Sequence, residues 1–470
     1  MDKLFEHLKD EEVSYFIWKD TEKVEQFFKG NAELDLLVNF NQKQNFEKII
    51  FTNGFIPLIV VDSIRIEKIN HYIKYENGKY FHLHVYYDLI TGNHYTKEYT
   101  FRLDESIFED FILDRNVKVV DIEGEIAFLS IRLFIKNTML LKEIKESEVK
   151  RLKLLSANYS IKKVSQFIHK VAPILENSAE NLINIALEGK KSAVNRKKVN
   201  KQLNNYKEIR GLKLVYHYFK IRFNLFRLRI NKSSNKTLTG IGTSFSIIGS
   251  DGSGKTTITS KLLKQYSAKT SCRKFYLGGN SKTYSIITRL YYFNYYFVRV
   301  LSPLKEKYSI AWLLYYNSVT LLELGKAKDR RKKVIKGNKL KSRGWIVIFE
   351  RYPVIGLFDF PNNLNELYLH KFYSPFKVID KRIKKINRII NRLEKPDISF
   401  LVITDIENMK KRRKLAPNEV IDITRKIKTQ KEFLVKNKSE LFLIENDDKI
   451  ERTISKINNE VNKKLCIFNS

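Results

Sequence analysis

The sequence predicts an α/β protein with a smaller α+β domain, a helical connector, and a C-terminal domain built on a parallel five-stranded sheet covered by helices. Three observations predict this organisation: a glycine-rich loop between a strand and a helix near residue 250, alternating strands and helices from there onward, and mixed short elements before residue 125. With 470 residues, 43% of them hydrophobic, the chain is long enough for two to three domains. The predicted boundaries are 1–125, 126–240 and 241–470.

Composition limits the location and the partners of the protein. The chain has two cysteines, a charged N-terminus and no run of 18 apolar residues, so we expect no disulfide framework, no signal peptide and no membrane span. A cytoplasmic location is the expectation that follows. The formal charge of +35 invites a nucleic-acid or anionic-membrane partner, but lysine is abundant throughout, so only clustering can decide.

Residues 1–125 are predicted to mix short strands and helices. Strand patterns occupy 33–38, 57–61 and 81–87, and Asn77-Gly78 signals a hairpin turn. Glu33 and Asp35 stand two residues apart on the first strand and therefore share one face. Two such carboxylates can hold a divalent cation against a nucleotide triphosphate.

This pair, in KGNAELDLLV, resembles the metal-binding strand of nucleotidyltransferases. KYFHLHVYYDLITG resembles a later strand of an uncharacterised nucleotidyltransferase family, in which an acid and a histidine stand two residues apart. Here the two positions are His82 and His84, so the acidic ligand is missing, while Asp88 shares their face by parity. Glu33 and Asp35 could equally well be the polar edge of a strand with no metal. We expect His82 and His84 to stabilise the fold.

The connector between the two halves is strongly basic. Helical patterns cover about 126–185, and between 189 and 240 Glu208 is the only acid in a stretch rich in lysine and arginine. Within 211–230 the cations alternate with Tyr, Phe and Leu. Contact of 189–236 with anionic membrane or nucleic acid is one expectation. We favour the other, a helix that packs its apolar side between the domains.

A glycine-rich motif opens the C-terminal domain. GSDGSGKTT at 249–257 fits G-x-x-x-x-G-K-[ST], with the apolar run 244–248 before it and a helical pattern after it. Loop amides and a helix N-terminus together favour bound phosphate. We expect ATP to be held by Gly249, Ser250, Asp251, Gly252, Ser253, Gly254, Lys255, Thr256 and Thr257. Lys255 would reach the β- and γ-phosphates, and the Thr256 hydroxyl would ligate Mg²⁺.

Further strands are predicted at 245–248, 273–277, 345–349, 398–403 and 441–444, with helices between them, which indicates a parallel sheet. Four segments in this half resemble thymidylate kinases and, more loosely, other nucleoside monophosphate kinases. They are the acidic residue in GSDGSGKTT, GWIVIFERYP at 344–353, KPDISFLVI at 395–403 and MKKRRK at 409–414. The resemblance implies a P-loop kinase that uses ATP and Mg²⁺ to convert a nucleoside monophosphate, first of all dTMP to dTDP.

The resemblance also implies roles for individual residues. Asp251 would contact the 3′-hydroxyl of the acceptor sugar, and Arg351 would hold the acceptor phosphate. Because the loop contains no arginine, Arg412 or Arg413 in the basic lid would meet the charge on the transferring phosphoryl group.

Two positions on the acceptor side depart from the family. Glu350 stands where the family has aspartate, and Asp359 begins Asp-Phe-Pro where a subset of relatives has Asp-Gly-Pro. We count both residues among the acceptor-binding candidates.

Three other functions stay open at this stage. The acceptor could be another phosphorylated metabolite in sugar-nucleotide or polysaccharide synthesis. The chain could be a nucleotidyltransferase with an accessory kinase-like domain, or an ATP-binding regulator without turnover. Beside the nucleotide substrate, a second copy of the chain in a homodimer is an expected partner.

Overall fold

The computed structural model describes residues 1–60, 68–93, 96–138, 146–188, 193–228, 236–304, 309–353, 377–412, 420–421, 423–425, 428, 441–446 and 449–469. The chain forms two compact units, Met1–Thr239 and Gly240–Ser470. This single division lies next to the predicted boundary between 240 and 241. No helix in the described ranges combines the length and the apolar character needed to cross a bilayer.

Unit 1 is built on an eight-stranded mixed sheet with the strand order β10-β3-β4-β5-β2-β1-β9-β8, and β6 and β7 form a separate antiparallel pair. The strands are β1 Tyr15–Ile17, β2 Glu33–Val38, β3 Ile56–Val60, β4 Ile69–Glu76, β5 Lys79–Tyr86, β6 Leu89–Thr91, β7 Tyr99–Phe101, β8 Phe111–Asp114, β9 Val117–Val120 and β10 Lys236–Leu238. The helices are α1 Asp2–Asp10, α2 Val24–Phe28, α3 Lys43–Thr52, α4 Ile122–Thr138, α5 Glu146–Leu155, α6 Ile161–Val171, α7 Ala179–Glu188, α8 Ala193–Leu203 and α9 Gly211–Leu228.

The predicted hairpin lies between β4 and β5. Asn77 and Gly78 have φ angles of 50° and 81°, the left-handed pair that a tight two-residue turn requires. The turn sets the register in which the two strands pair antiparallel. Because β5 also pairs parallel with β2, the hairpin brings histidines from both of its strands beside the carboxylates of β2.

Helix α4 shares one core with the sheet. Its sequence is apolar on nearly every side, which is typical of a helix that is covered all round. The ring of Phe128 lies 5.6 Å from that of Trp18 on the sheet side and 5.1 Å from that of Phe167 in α6. The sheet and the helices that follow it therefore belong to one folded unit.

Unit 2 contains the predicted parallel sheet of five strands, in the order β12-β13-β11-β14-β15. The strands are β11 Ser244–Ile248, β12 Cys272–Tyr276, β13 Ile346–Glu350, β14 Ile398–Ile403 and β15 Phe442–Glu445. The helices are α10 Lys255–Ser267, α11 Ile286–Val298, α12 Ser309–Lys341, α13 Lys377–Asn391, α14 Ile406–Arg412 and α15 Ile450–Asn469. Each strand lies within one residue of its predicted position.

The strand order places the glycine-rich loop at the centre of the sheet. Strand β11 is fully buried and is flanked by β13 on one side and β14 on the other. Chain connections leave a central strand in opposite directions at such a switch point, and a crevice opens beyond the carboxyl ends of the strands. The loop that follows β11 lies at this edge.

Candidate functional site

The loop after β11 has the backbone geometry of a phosphate cradle. Gly249, Gly252 and Gly254 have φ angles of 152°, 91° and 87°, which side chains rarely tolerate. A Cβ atom at Gly249 would collide with the carbonyl oxygen of Val402 at the end of β14. Glycine therefore lets the loop lie against the sheet edge, and α10 begins immediately after it with its N-terminus toward the loop.

Unsatisfied polar groups line the cradle. The Oγ atoms of Ser250 and Ser253 are buried and make no hydrogen bond with a described residue. The ammonium of Lys255, a residue that is 4% exposed, donates to the carbonyl oxygen of Ser250. Burial, with a smaller effect of Arg351, lowers the pKa of Lys255 to about 8. A buried cation beside unused hydroxyls fits the phosphate groups of a nucleotide.

Glu350, at the end of β13, accepts hydrogen bonds from the polar side chains beside the cradle. Its carboxylate accepts hydrogen bonds from Thr256 at 2.7 Å, from Thr259 at 3.2 Å and from Lys274 at 3.1 Å. Burial raises the pKa of Glu350, but the bonds from Thr256 and Lys274 outweigh burial and hold it below its usual value. A hydroxyl and an ionised carboxylate at this distance are oxygen ligands of the kind that Mg²⁺ prefers, so the residues fit the predicted metal.

Arg351 and Asp251 meet at the mouth of the cradle. The Nη2 atom of Arg351 lies 2.7 Å from the Asp251 carboxylate, and its guanidinium lies 5.8 Å from the ring centre of Tyr276. The backbone of Arg351 has a φ of 61°, in the left-handed region. Its amide donates to the carbonyl of Ile247, which ties this turn to the end of β11. Two residues predicted for the acceptor side are thus in direct contact.

Three residues that hold Glu350 and the loop in place were not predicted from the sequence. Lys274 pairs with Glu350, while Thr404 and Asn446 both donate to the carbonyl oxygen of Ser253, at 3.3 and 2.9 Å. Thr404 and Asn446 follow β14 and β15, so strand ends far apart in sequence fix one loop carbonyl. The only signal was their position directly after predicted strands, where parallel sheets place functional side chains.

The remaining predicted residues are Thr257, Arg412, Arg413 and Asp359. Thr257 lies in the first turn of α10, and Arg412 is the last residue of α14. Asp359 and Arg413 lie outside the described residues.

A second polar cluster lies in unit 1, where β2 pairs with β5. Glu33 and Asp35 stand opposite His82 and His84, each carboxylate 2.8 Å from the Nδ1 atom of its partner. The ring of His71, from β4, stacks on His84 with a centroid distance of 4.0 Å. Single ligand atoms of Glu33, Asp35 and His84 lie within 4.8 Å of one another, close enough for a metal ion.

The charges in this cluster are already matched. The Lys19 ammonium lies 3.0 Å from the same Asp35 oxygen that faces His84. Burial, reinforced by Lys19, holds the pKa of His84 well below its usual value, so this imidazole is neutral at pH 7. Asp88, the remaining acid of the predicted face, is paired with Lys68. The ammonium of Lys19 therefore occupies the carboxylate oxygen that a divalent cation would use, and its positive charge would repel that cation.

Comparisons with known proteins found similarity among solved structures. No family model and no curated protein matches the chain. Thymidylate kinase from Candida albicans has 16% identity over 48% of this chain and 94% of its own, with a TM-score of 0.28. Thymidylate kinase from Ehrlichia chaffeensis has 17% identity over 47% and 98%, with a TM-score of 0.27. Deoxyadenosine kinase from M. mycoides with bound dCTP has 17% identity over 47% and 99%, with a TM-score of 0.28. Because these TM-scores are low, we base the proposed function on the residues of the site and not on these structures.

Proposed function

We propose that unit 2 is an ATP-dependent kinase that transfers the γ-phosphoryl group to a nucleoside monophosphate, with dTMP as the first acceptor to test. One observation carries the proposal: Asp251 belongs to the phosphate loop and also pairs at 2.7 Å with Arg351. This contact brings a guanidinium suited to an acceptor phosphate to the mouth of a cradle suited to a donor phosphate. Adjacent donor and acceptor sites are what in-line phosphoryl transfer needs.

Different residues of the site would position the donor phosphates, the metal ion and the acceptor. Lys255 and the loop amides hold the donor phosphates, and the Ser250 and Ser253 hydroxyls offer further hydrogen bonds. Mg²⁺, held by Thr256 and Glu350, would offset charge on the phosphate oxygens. An incoming acceptor phosphate competes with Asp251 for Arg351, and the released carboxylate is then free to accept a hydrogen bond from a sugar hydroxyl.

An ATP-binding regulator without turnover is the second candidate. The observation in its favour is that Thr256, Thr259 and Lys274 already engage both oxygens of Glu350. If these bonds persist when nucleotide is bound, they compete with the metal for the lone pairs of the carboxylate. ATP would then bind without a productive geometry.

Product detection with ATP and a panel of phosphorylated acceptors separates the candidates. Transfer to a monophosphate, lost in Lys255→Ala while the circular dichroism spectrum is retained, supports the kinase. A charged hydrogen bond is worth about 1.5–3 kcal/mol, so turnover should fall at least about tenfold. Near-wild-type turnover in Lys255→Ala would exclude this loop as the catalytic site, and ATP binding without any transfer would select the regulator.

A further inference from the structure

Among the described residues of unit 1, cations outnumber carboxylates around Arg132, whose guanidinium lies beside Trp18. Arg132 and Lys136 of α4 share one carboxylate, that of Glu148, at 3.2 and 2.7 Å. Side-chain exposure is at most 9% for these three residues. Lys19, at the end of β1, has Asp35 as its counterion. A fourth cation, Lys97, makes no ion pair with any described residue, and the charges that act on it most are those of Arg132, Lys19 and Lys136.

The same place holds unused hydrogen-bond donors. The Nε and Nη1 atoms of Arg132 and the Nε1 atom of Trp18 are buried and make no hydrogen bond within the described ranges. The Arg132 guanidinium lies 5.8 Å from the ring centre of Trp18, and the Lys19 ammonium lies 5.2 Å from it. Unpaired buried donors are rare in folded proteins because each loses its bonds to water.

A purely structural ion network would balance its charges. Among the described residues, four cations around two carboxylates leave a positive surplus, and a buried charge without a counterion is strongly unfavourable. Two lysines of the cluster have lowered pKa values for this reason. Burial and, after it, the charge of Arg132 lower the pKa of Lys97 to about 7 and the pKa of Lys136 to about 8. The backbone of Lys97 also has a φ of 43°, a strained conformation that is common at ligand sites.

We propose that this cluster binds the phosphoryl group of an anionic ligand, a phosphomonoester or an oligophosphate, through Arg132 and Lys97. A phosphate supplies both missing components, negative charge for the surplus and several acceptor oxygens for the unpaired donors. The free edge of a guanidinium matches two phosphate oxygens at once. A divalent cation is the wrong ligand, because the surplus charge repels it. Unit 1 then carries an anion site of its own, in addition to the phosphate loop of unit 2.

The test uses the full chain with Lys255→Ala, which weakens the loop of unit 2, and pyrophosphate as the probe in titration calorimetry. Addition of Lys97→Met should lower pyrophosphate affinity at least about tenfold. Lys170→Met is the matched control, since Lys170 is a cation of the same unit paired with Asp110 at 2.6 Å, and it should leave the affinity unchanged. Equal affinity with and without Lys97→Met would overturn the proposal.

Thermal unfolding gives a second readout that a structural role would not produce. Lys97→Met removes one cation of the surplus, so it should raise the Tm in anion-free buffer while abolishing the rise caused by pyrophosphate. A lower Tm together with an unchanged response to pyrophosphate would show that Lys97 only supports the fold, and would also overturn the proposal.

Discussion

At the scale of single residues, the protonation of Lys255 is tied to nucleotide binding. Its pKa is about 8 because the ammonium is buried, with Arg351 nearby. Bound phosphates favour the charged form and raise this pKa, so binding takes up a proton above pH 8. We predict that the Kd for ATP is nearly constant up to pH 8 and then rises about tenfold per pH unit.

Fluorescence titration with an ATP analogue at pH 7, 8 and 9 checks this pH dependence. Lys255→Ala should bind more weakly throughout and should show no inflection at pH 8. The same inflection in Lys255→Ala would assign the proton to another group.

Arg351 gives the second residue-scale prediction. Arg351→Lys keeps the charge but loses the planar fork that holds two phosphate oxygens. We expect the KM for the acceptor to rise at least about tenfold and the KM for ATP to change little. Steady-state kinetics with each substrate varied in turn measures both constants. An equal rise in both would mean that Arg351 does not belong to the acceptor side.

At the scale of elements, the strands of unit 2 were predictable and their supporting contacts were not. Each buried strand is a short apolar run bounded by polar residues, a pattern that depends only on neighbours in sequence. The bond from Lys274 to Glu350 depends on the pairing of β12 with β13, and the bond from Asn446 to the loop depends on the position of β15. Sheet order is a tertiary property, and no local pattern encodes it.

Helix α9 presents an exposed apolar surface. The sequence favoured packing of its apolar side between the domains, which stays a prediction. In the structure, Leu212, Val215, Tyr216, Phe219 and Phe223 are 46% to 87% exposed. At helical spacing they form one stripe. None of the described helices and strands of unit 1 packs extensively on α9.

The flanks of this stripe predict its partner. Lys213 and Lys220 lie along one side and Arg222 along the other, and α9 contains no acid. Aromatic side chains between cations are typical of helices that lie on anionic lipid, where each cation near the surface contributes about 1 kcal/mol. We predict that the protein sediments with vesicles containing phosphatidylglycerol and much less with neutral vesicles.

The double variant Phe219→Ser, Phe223→Ser should lose most of this vesicle binding. Leu154→Ser, which changes an equally exposed apolar residue of α5, should not. Loss of binding in Leu154→Ser as well would point to a general effect of exposed apolar surface, contrary to the prediction.

At the scale of the whole molecule, the two units follow different electrostatic rules. In unit 2, Lys255 contacts a backbone carbonyl and makes one long ion pair, 3.8 Å from Asp251, which keeps it available for phosphate. In unit 1, the face that the sequence predicted as a metal site has Lys19 against Asp35 and His82 against Glu33. The loop of unit 2 therefore offers a cation to an anionic ligand, while the carboxylates of unit 1 already face basic side chains.

This contrast gives the last prediction, which concerns unit 1. Mg²⁺ prefers several oxygen ligands, but the third ligand at this site is His84, and Lys19 adds a positive charge 3.0 Å from Asp35. A neutral imidazole cannot replace the missing negative charge. We therefore expect the full chain to release no pyrophosphate from nucleoside triphosphates with Mg²⁺, and the double variant Glu33→Gln, Asp35→Asn to keep full kinase activity. Pyrophosphate release that disappears in this variant, with phosphoryl transfer unchanged, would instead make the chain a bifunctional enzyme.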